Sequence, residues 1–205
     1  MKKLVVFFMF LALSTPATGI CATPMETLRP HVDEVIKILN DPKYHTPEQR
    51  TNQREILWEA ISDIFDYAFI SKSALGRYHW QNSFTEEQKK EFTDVFSRFL
   101  GNTYLDKIQE GYQSEKVVFI GEELLAADKA MVKTKILRKK VEIPVDYRMK
   151  TQGEEWKIYD VNIEGVSLVQ NYRSQFQSIL LNQTAAQLID QLKSKLENQS
   201  QPKMD

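Results

Sequence analysis

Cysteine is almost absent from this 205-residue chain, in which Cys21 is the single example. A lone cysteine forms no internal disulfide, so the fold must be held together by a hydrophobic core. The three histidines, His31, His45 and His79, lie far apart, and no two have the i, i+4 spacing of a helical metal site. The sequence therefore predicts neither a disulfide framework nor a metal centre.

Glycine-dependent motifs are also lacking, since the chain has no phosphate-binding loop and no paired-glycine dinucleotide fingerprint. Ser167 stands in Gly-Val-Ser-Leu-Val, which lacks the second glycine of a hydrolase nucleophile elbow, and a helix N-cap role explains it. Asp66, Asp160 and Glu164 are candidate buried carboxylates near His79, for which capping and ordinary hydrogen bonding are the simpler explanation. We therefore predict that the protein is not an enzyme and needs no cofactor.

Long hydrophobic runs are missing except at the start, where Leu4–Leu13 is wholly apolar. Ten residues are too few to span a bilayer, which needs about twenty. Lys2 and Lys3 precede the run, and Ser14-Thr15-Pro16 with further small residues follows it up to Ala22. This order of basic, apolar and small residues is typical of a secretory signal peptide, whereas a buried N-terminal helix is the alternative. The sequence predicts an exported protein.

The predicted signal peptide covers residues 1–22, with cleavage after Ala22 as the first choice and after Gly19 as the second. Lipidation at Cys21 is disfavoured because Ile20, not a small residue, precedes it. Residues 23–205 are then one domain, with a flexible polar tail from about residue 197. We expect a monomer.

Charge of either sign is not in large excess. The formal net charge is −1, and loss of Lys2 and Lys3 with the signal peptide makes it −3. A nearly neutral protein has no global field that attracts nucleic acid or anionic lipid, so nucleic-acid binding is not expected.

Apolar residues at helical spacing predict helices, and period-two alternation predicts strands. Capping-box patterns at Thr46, Thr85, Ser167 and Thr184 mark four helix starts. Six helices are predicted. The first lies near Met25–Leu39, the second begins after Thr46, and a third, short helix ends near Leu75. The others run from Thr85 to about Glu110, after Ser167 and after Thr184. The predicted strands are Val117–Gly121, Lys129–Arg138, Val141–Lys150 and Glu155–Glu164.

Two strands carry local irregularities. Pro144 in the third strand favours an edge position or a bulge, because proline has no N–H for the ladder. In the fourth strand the apolar face switches near Tyr159, which favours a bulge or a strand buried on both faces.

The fold class that follows is α+β: a four-stranded antiparallel twisted sheet covered by helices. A sheet covered in this way often leaves an apolar cavity between sheet and helices. The chain is rich in aromatic residues that suit either such a cavity or a solid core, and periodicity alone does not separate the two.

The inward-facing residues that we expect to line such an apolar cavity are Phe69, Leu75, Phe92, Phe96, Leu100, Tyr104, Val145, Tyr147, Met149, Ile158, Val166, Tyr172 and Phe176. Possible head-group or docking contacts are Arg138, Lys139, Lys140, Arg148 and Arg173. Of Phe96, Tyr147 and Phe176, we expect at least two to line the cavity and not to pack solely against each other.

Several motifs in order resemble the MlaC family, the toluene-tolerance or ABC-transporter auxiliary proteins. They are Phe65-Asp66-Tyr67, Leu75-Gly76-Arg77-Tyr78-His79-Trp80, Thr85 with Gln88, Trp156-Lys157-Ile158-Tyr159-Asp160-Val161, Glu164-Gly165-Val166-Ser167-Leu168 and Asn171-Tyr172-Arg173-Ser174-Gln175-Phe176. Gln81 departs from the arginine that relatives often carry after this tryptophan.

The resemblance implies a periplasmic phospholipid carrier that maintains the lipid asymmetry of the outer membrane. Such a carrier shuttles lipid between an outer-membrane lipoprotein complex and an inner-membrane ABC transporter with a lipid-binding ring. Two alternatives remain open from the residues alone. One is an exported hydrolase on a similar cavity-bearing fold, and the other is a periplasmic scaffold with a solid core.

Overall fold

Residues 22–44, 46–139 and 141–200 are described by the structure, a computed structural model. Nearly all of the predicted signal peptide lies outside this part of the chain, as do His45, Lys140 and residues 201–205.

Helices precede and follow one antiparallel sheet. The helices are α1 (Pro24–Asn40), a 3₁₀ turn (Pro42–Tyr44), α2 (Pro47–Ser62), α3 (Tyr67–Asn82), α4 (Glu86–Gly111), α5 (Leu168–Leu180) and α6 (Ala185–Ser200). The strands are β1 (Lys116–Ala126), β2 (Lys129–Arg138), β3 (Val141–Gln152), β4 (Glu155–Ile163) and β5 (Val166–Ser167). The predicted α+β class is confirmed, with a short fifth strand added to the four that the sequence predicts.

Side-chain caps fix several of the helix starts. Thr85 and Gln88 form the reciprocal capping box that their spacing predicts, and Thr184 with Gln187 forms another. The Ser167 hydroxyl accepts the Gln170 N–H, so its N-cap role is confirmed. The box predicted at Thr46 is wrong: Thr46 is the N-cap of α2, but its side chain makes no capping hydrogen bond.

The sheet has the order β1-β2-β3-β4-β5, with every neighbouring pair antiparallel. The predicted irregularity in β4 is a bulge: Ile158 pairs with Met149 and Asp160 with Arg148, so Tyr159 is the extra residue. Pro144 pairs with Lys135 on one side, and on the other it lies just beyond the last residue of β4. The missing N–H therefore does not interrupt the β3–β4 ladder.

Three groups of buried side chains hold these elements together. The largest is aromatic and joins α3, α4, α5 and α6. The second lies between α1 and the sheet, and the third joins the end of α1 to α2 and to Leu105 of α4. Because the long helix α4 contributes to both the first and the third group, it joins the core of α3, α5 and α6 to the end of α1 and to α2.

The C-terminal helix extends further than the sequence predicts. We expected a flexible tail from about residue 197, whereas α6 continues to Ser200. The amide of Gln199 donates to the Thr103 hydroxyl at 2.9 Å, which fixes the last turn against α4. Within the described ranges, none of the helices is long and apolar enough to cross a membrane.

Candidate functional site

A cavity of about 580 Å³ lies between the sheet, α1 and α4. This volume is within the range of about 300–1,000 Å³ that small-molecule sites occupy. Most of its wall is aliphatic. The aliphatic and phenylalanine side chains in the wall are Leu28, Val32, Val35, Ile36, Leu39, Ile61, Ile64, Phe65, Ile70, Leu100, Leu105, Ile108, Val117, Ile136, Val145, Ile158, Val161, Ile163, Val166 and Leu168.

Helix α1 supplies one side of this wall through simple periodicity. Leu28, Val32, Val35 and Leu39 recur at spacings of three and four residues, so they share the face that α1 turns towards the sheet. The reciprocal capping box of Thr23 fixes where the helix begins. The part of the wall that α1 supplies is therefore an amphipathic stripe that is visible in the sequence.

The sheet supplies the opposite side of the wall through alternation. Val145 and Tyr147 of β3 lie two residues apart and pair with Ile163 and Val161 of β4, so these four side chains point to one face. The short β5 strand adds Val166 at the end of the wall. One helix face and one sheet face thus enclose an apolar space.

Asp160 is one of two buried carboxylates in this wall, and both of its oxygens are engaged. It accepts the Ser167 hydroxyl at 2.6 Å and the Val169 N–H at 3.0 Å. It therefore joins β4 to the first turn of α5 and has a structural role. His31 is likewise engaged, since its Nδ1 lies 2.9 Å from the Ala60 carbonyl oxygen.

Glu115 and Arg138 form an ion pair at the other end of the wall. Arg138 also donates to the Gly111 carbonyl, and Glu115 accepts the Gln113 N–H at 2.6 Å. Burial alone raises the pKa of the Glu115 carboxyl, but the Gln113 N–H and the Arg138 guanidinium outweigh it and hold that pKa below its ordinary value. The pair closes the end of α4 onto β2.

Tyrosines supply the remaining polar atoms of the wall. Tyr67, Tyr104, Tyr112 and Tyr147 all line the cavity. Burial raises the pKa of each hydroxyl, and for Tyr147 the pKa reaches about 12. These hydroxyls are therefore neutral at physiological pH, and the wall carries little charge.

The mouth of the cavity is defined by the wall residues that are also exposed. They are Lys107 and Ile108 of α4, Val166 of β5 and Asn171 of α5. Ile108 is 37% exposed and Val166 is 61% exposed, so apolar surface continues from the cavity to the solvent. The opening thus lies between the end of α4 and the β5–α5 junction.

Six of the thirteen predicted pocket residues lie in the cavity wall: Leu100, Tyr104, Val145, Tyr147, Ile158 and Val166. Their contact with a lipid remains a prediction. The other seven, namely Phe69, Leu75, Phe92, Phe96, Met149, Tyr172 and Phe176, lie elsewhere in the structure.

The phenylalanines of α4 form a solid core and do not line the cavity. The Phe96 and Phe176 ring centroids are 5.1 Å apart, and Phe92, Tyr172 and Leu75 complete the same cluster. We expected at least two of Phe96, Tyr147 and Phe176 in the cavity wall, whereas only Tyr147 lies there. The first half of α4 packs among α3, α5 and α6, and only its second half reaches the cavity.

Two further predicted pocket residues, Met149 and Phe69, also lie outside the cavity wall, and their neighbours differ from those of the aromatic core. Met149 is fully buried in the cluster between α1 and the sheet. Phe69 packs edge-on against Tyr159, and the Lys150 ammonium lies 4.7 Å from its ring centroid. Both positions were predicted from their alternation or spacing, which indicates burial but not the neighbour.

The four predicted basic contacts that the structure describes do not form one cluster. Arg138 lines the cavity but is paired with Glu115, and Arg173 donates to the Ser73 carbonyl at 2.7 Å. That carbonyl belongs to the turn of α3 before Gly76, whose positive φ of 76° kinks the helix. Lys139 and Arg148 are exposed and do not line the cavity.

The α1 side of the wall and Lys107 were not predicted from the sequence. The α1 stripe was visible as an amphipathic pattern, but such a pattern does not show whether its partner is a solid layer or a cavity. Lys107 had no local signal, because it is one of several lysines on α4. Among the described residues there is no group of three side chains suited to hold a metal ion.

Fold and cavity together define an α+β protein whose sheet and helices enclose an apolar binding space. The chain belongs to the MlaC family: the family described as MlaC protein matches residues 30–194. The resemblance inferred from the motifs is therefore confirmed. MlaC proteins are periplasmic lipid carriers and not enzymes.

A solved structure has the same fold. It is a phospholipid-binding protein from Ralstonia solanacearum in complex with a phospholipid, with a TM-score of 0.73 and 23% sequence identity. The match covers 85% of this chain and 97% of that chain. A comparison with curated protein sequences found no match.

Proposed function

We propose that this protein is a periplasmic phospholipid carrier. The acyl chains of the bound phospholipid occupy the apolar cavity, and its head group stays at the mouth, between Ile108 and Val166. The carrier shuttles lipid between an outer-membrane lipoprotein complex and an inner-membrane ABC transporter with a lipid-binding ring, and so maintains outer-membrane lipid asymmetry. The observation that carries the proposal is the cavity of about 580 Å³ with a largely aliphatic wall.

The energetics of acyl chains explain why such a cavity is needed. Burial of one CH₂ group stabilises by about 0.8 kcal/mol, so a chain of about sixteen carbons gains roughly 12 kcal/mol on leaving water. A wall of aliphatic side chains provides that burial without demanding specific polar partners. The family membership and the phospholipid in the Ralstonia solanacearum protein support the same ligand class.

The enzyme alternative is less well supported. A hydrolase needs a nucleophile or a base with free polar atoms inside the pocket. Here Asp160 is engaged by Ser167 and Val169, and Glu115 is engaged by Arg138 and Gln113. Both carboxylates of the wall are thus occupied with joining elements of the fold.

Export and partner docking complete the proposal. Residues 1–22 direct the chain to the periplasm and are removed, which leaves residues 23–205 as one lipid-binding domain. Docking uses local patches because the net charge of −3 that remains after removal of residues 1–22 offers no strong global field. Lys139 and Arg148 are candidate contacts, since both are exposed on the sheet side of the molecule.

The test is lipid extraction from the full-length chain expressed with its own N-terminus and purified from the periplasm. We expect bound phospholipid and a mature protein that begins near Thr23. A soluble protein that retains Met1 would contradict export. Release of fatty acid from added phospholipid would favour the hydrolase, and a protein that is free of lipid and takes up none from vesicles would favour the scaffold.

A further inference from the structure

The cavity wall contains four residues that carry a formal charge, and three of them serve the fold. Glu115 and Arg138 are paired with each other, and Asp160 caps the first turn of α5. Lys107 is the fourth. It is exposed and lies at the mouth.

Lys107 is held at the boundary of the cavity by an aromatic contact. Its Nζ lies 5.2 Å from the ring centroid of Tyr104, which is itself a wall residue. Attraction between an ammonium and the face of a ring favours this position over extension into solvent. The neighbouring Asp106 is engaged by Arg54 at 3.0 Å, so it does not draw the ammonium away from the mouth.

We propose that Lys107 binds the phosphate group of the cargo lipid. This inference deepens the proposed function and rests on it. With acyl chains in the aliphatic cavity, the phosphodiester lies where the apolar wall meets the solvent, at the level of Ile108 and Val166. An ammonium in that position donates charge-assisted hydrogen bonds to a phosphate oxygen.

The chemistry predicts which lipids depend on Lys107. Any lipid with a phosphate gains from the contact, whereas diacylglycerol has the same chains and no phosphate. Because the site is open to solvent, the contact lies between an exposed ion pair and a charge-assisted hydrogen bond in strength. That range corresponds to roughly a three- to tenfold change in affinity. The change is larger at low salt, where screening is weakest.

The test compares Lys107→Gln with a matched control, Lys195→Gln. Lys195 is an exposed lysine on α6 whose Nζ lies 5.9 Å from the Phe99 ring centroid, away from the cavity wall. Delipidated full-length mature protein is equilibrated with vesicles that contain either fluorescent phosphatidylglycerol or fluorescent diacylglycerol. Lipid transferred to the protein is then measured at low salt.

We expect Lys107→Gln to weaken phosphatidylglycerol uptake roughly three- to tenfold and to leave diacylglycerol uptake unchanged. Lys107→Arg retains phosphatidylglycerol uptake, and Lys195→Gln matches the wild type for both lipids. Inorganic phosphate and glycerophosphate in solution do not compete, because the site gains its affinity from chains in the cavity.

Three results would overturn the proposal. Equal uptake of phosphatidylglycerol by Lys107→Gln and the wild type would show that Lys107 does not bind the phosphate. If Lys107→Gln takes up both lipids less well, and to the same extent, Lys107 supports the fold and does not contact the phosphate. Competition by free phosphate would indicate a general anion site. Failure of the wild-type protein to take up either lipid would instead contradict the proposed function itself.

Discussion

Tyr147 shows how burial in the cavity wall changes the chemistry of a single residue. It lies on the central strand β3 and lines the cavity, where burial raises its pKa to about 12. In the unfolded chain the hydroxyl has its ordinary pKa of 10.0. The folded state therefore holds the proton over a range in which the unfolded state loses it.

This difference predicts how stability changes at high pH. Below about pH 10 the hydroxyl is neutral in both states, and its contribution to stability is fully present. As the pH rises from about 10 to about 12, the unfolded state ionises first, so the free energy of unfolding falls. Tyr147→Phe removes the group and therefore reduces this fall. Denaturant unfolding at a series of alkaline pH values measures it.

Tyr78→Phe is the matched control, because Tyr78 is 70% exposed. It removes a hydroxyl that both states present to water, so its alkaline stability profile should follow the wild type. If Tyr147→Phe and Tyr78→Phe give the same profile, Tyr147 is not held neutral by burial.

Helix starts and strand irregularities were predictable from the sequence wherever residues close together in the chain determine them. Thr85 and Thr184 start helices through capping boxes, and the switch of apolar face at Tyr159 marks the bulge in β4. Each of these depends on residues close together in sequence. The capping box predicted at Thr46 does not form, because a capping box needs the right side-chain geometry as well as the right residue types.

The residues of the site were harder to predict from the sequence, and α4 shows why. Phe92, Phe96, Leu100 and Tyr104 share one stripe, so the sequence predicts the same surroundings for all four. In the structure Phe92 and Phe96 lie in the aromatic core, whereas Tyr104 lines the cavity and Leu100 contacts both. Which half of a stripe meets a solid layer is decided by α3, α5 and α6, whose positions no local pattern encodes.

Gly101 sets the distance between α2 and α4 at the cavity wall. A methyl group at this position would overlap Cζ3 and Cε3 of the Trp58 ring on α2. Trp58 in turn stacks on Tyr67 of the wall, with ring centroids 5.7 Å apart. We expect Gly101→Ala to destabilise the protein by about 1–3 kcal/mol, despite a helix-propensity gain of roughly 1 kcal/mol. Denaturant unfolding gives the value.

The steric cause is tested by repeating the substitution in a Trp58→Leu background. If the ring is responsible, Gly101→Ala costs less there, with a coupling of about 1 kcal/mol or more between the two sites. An equal cost in both backgrounds would assign the effect to α4 itself and not to its approach to α2.

At the scale of the whole molecule, solid packing and open space are separated. The aromatic core of α3, α4, α5 and α6 is closely packed, while the cavity lies between α1, the second half of α4 and the sheet. The first group stabilises the fold without any ligand. The second leaves aliphatic surface uncovered, which the acyl chains of the proposed cargo would cover.

The central claim is that acyl chains occupy this cavity, and Val145→Trp tests it most directly. Val145 is 4% exposed on the central strand and faces the cavity, so a bulky ring there fills the space that the chains need. Val118→Trp is the matched control, since Val118 is 39% exposed on the edge strand β1 and lies outside the wall.

The measurement is native mass spectrometry of each protein purified from the periplasm, with a thermal melt to establish that it is folded. We predict that the wild type and Val118→Trp carry phospholipid, whereas folded Val145→Trp carries little or none. Folded Val145→Trp with the wild-type load of phospholipid would contradict the account, because the chains would then lie somewhere other than this cavity.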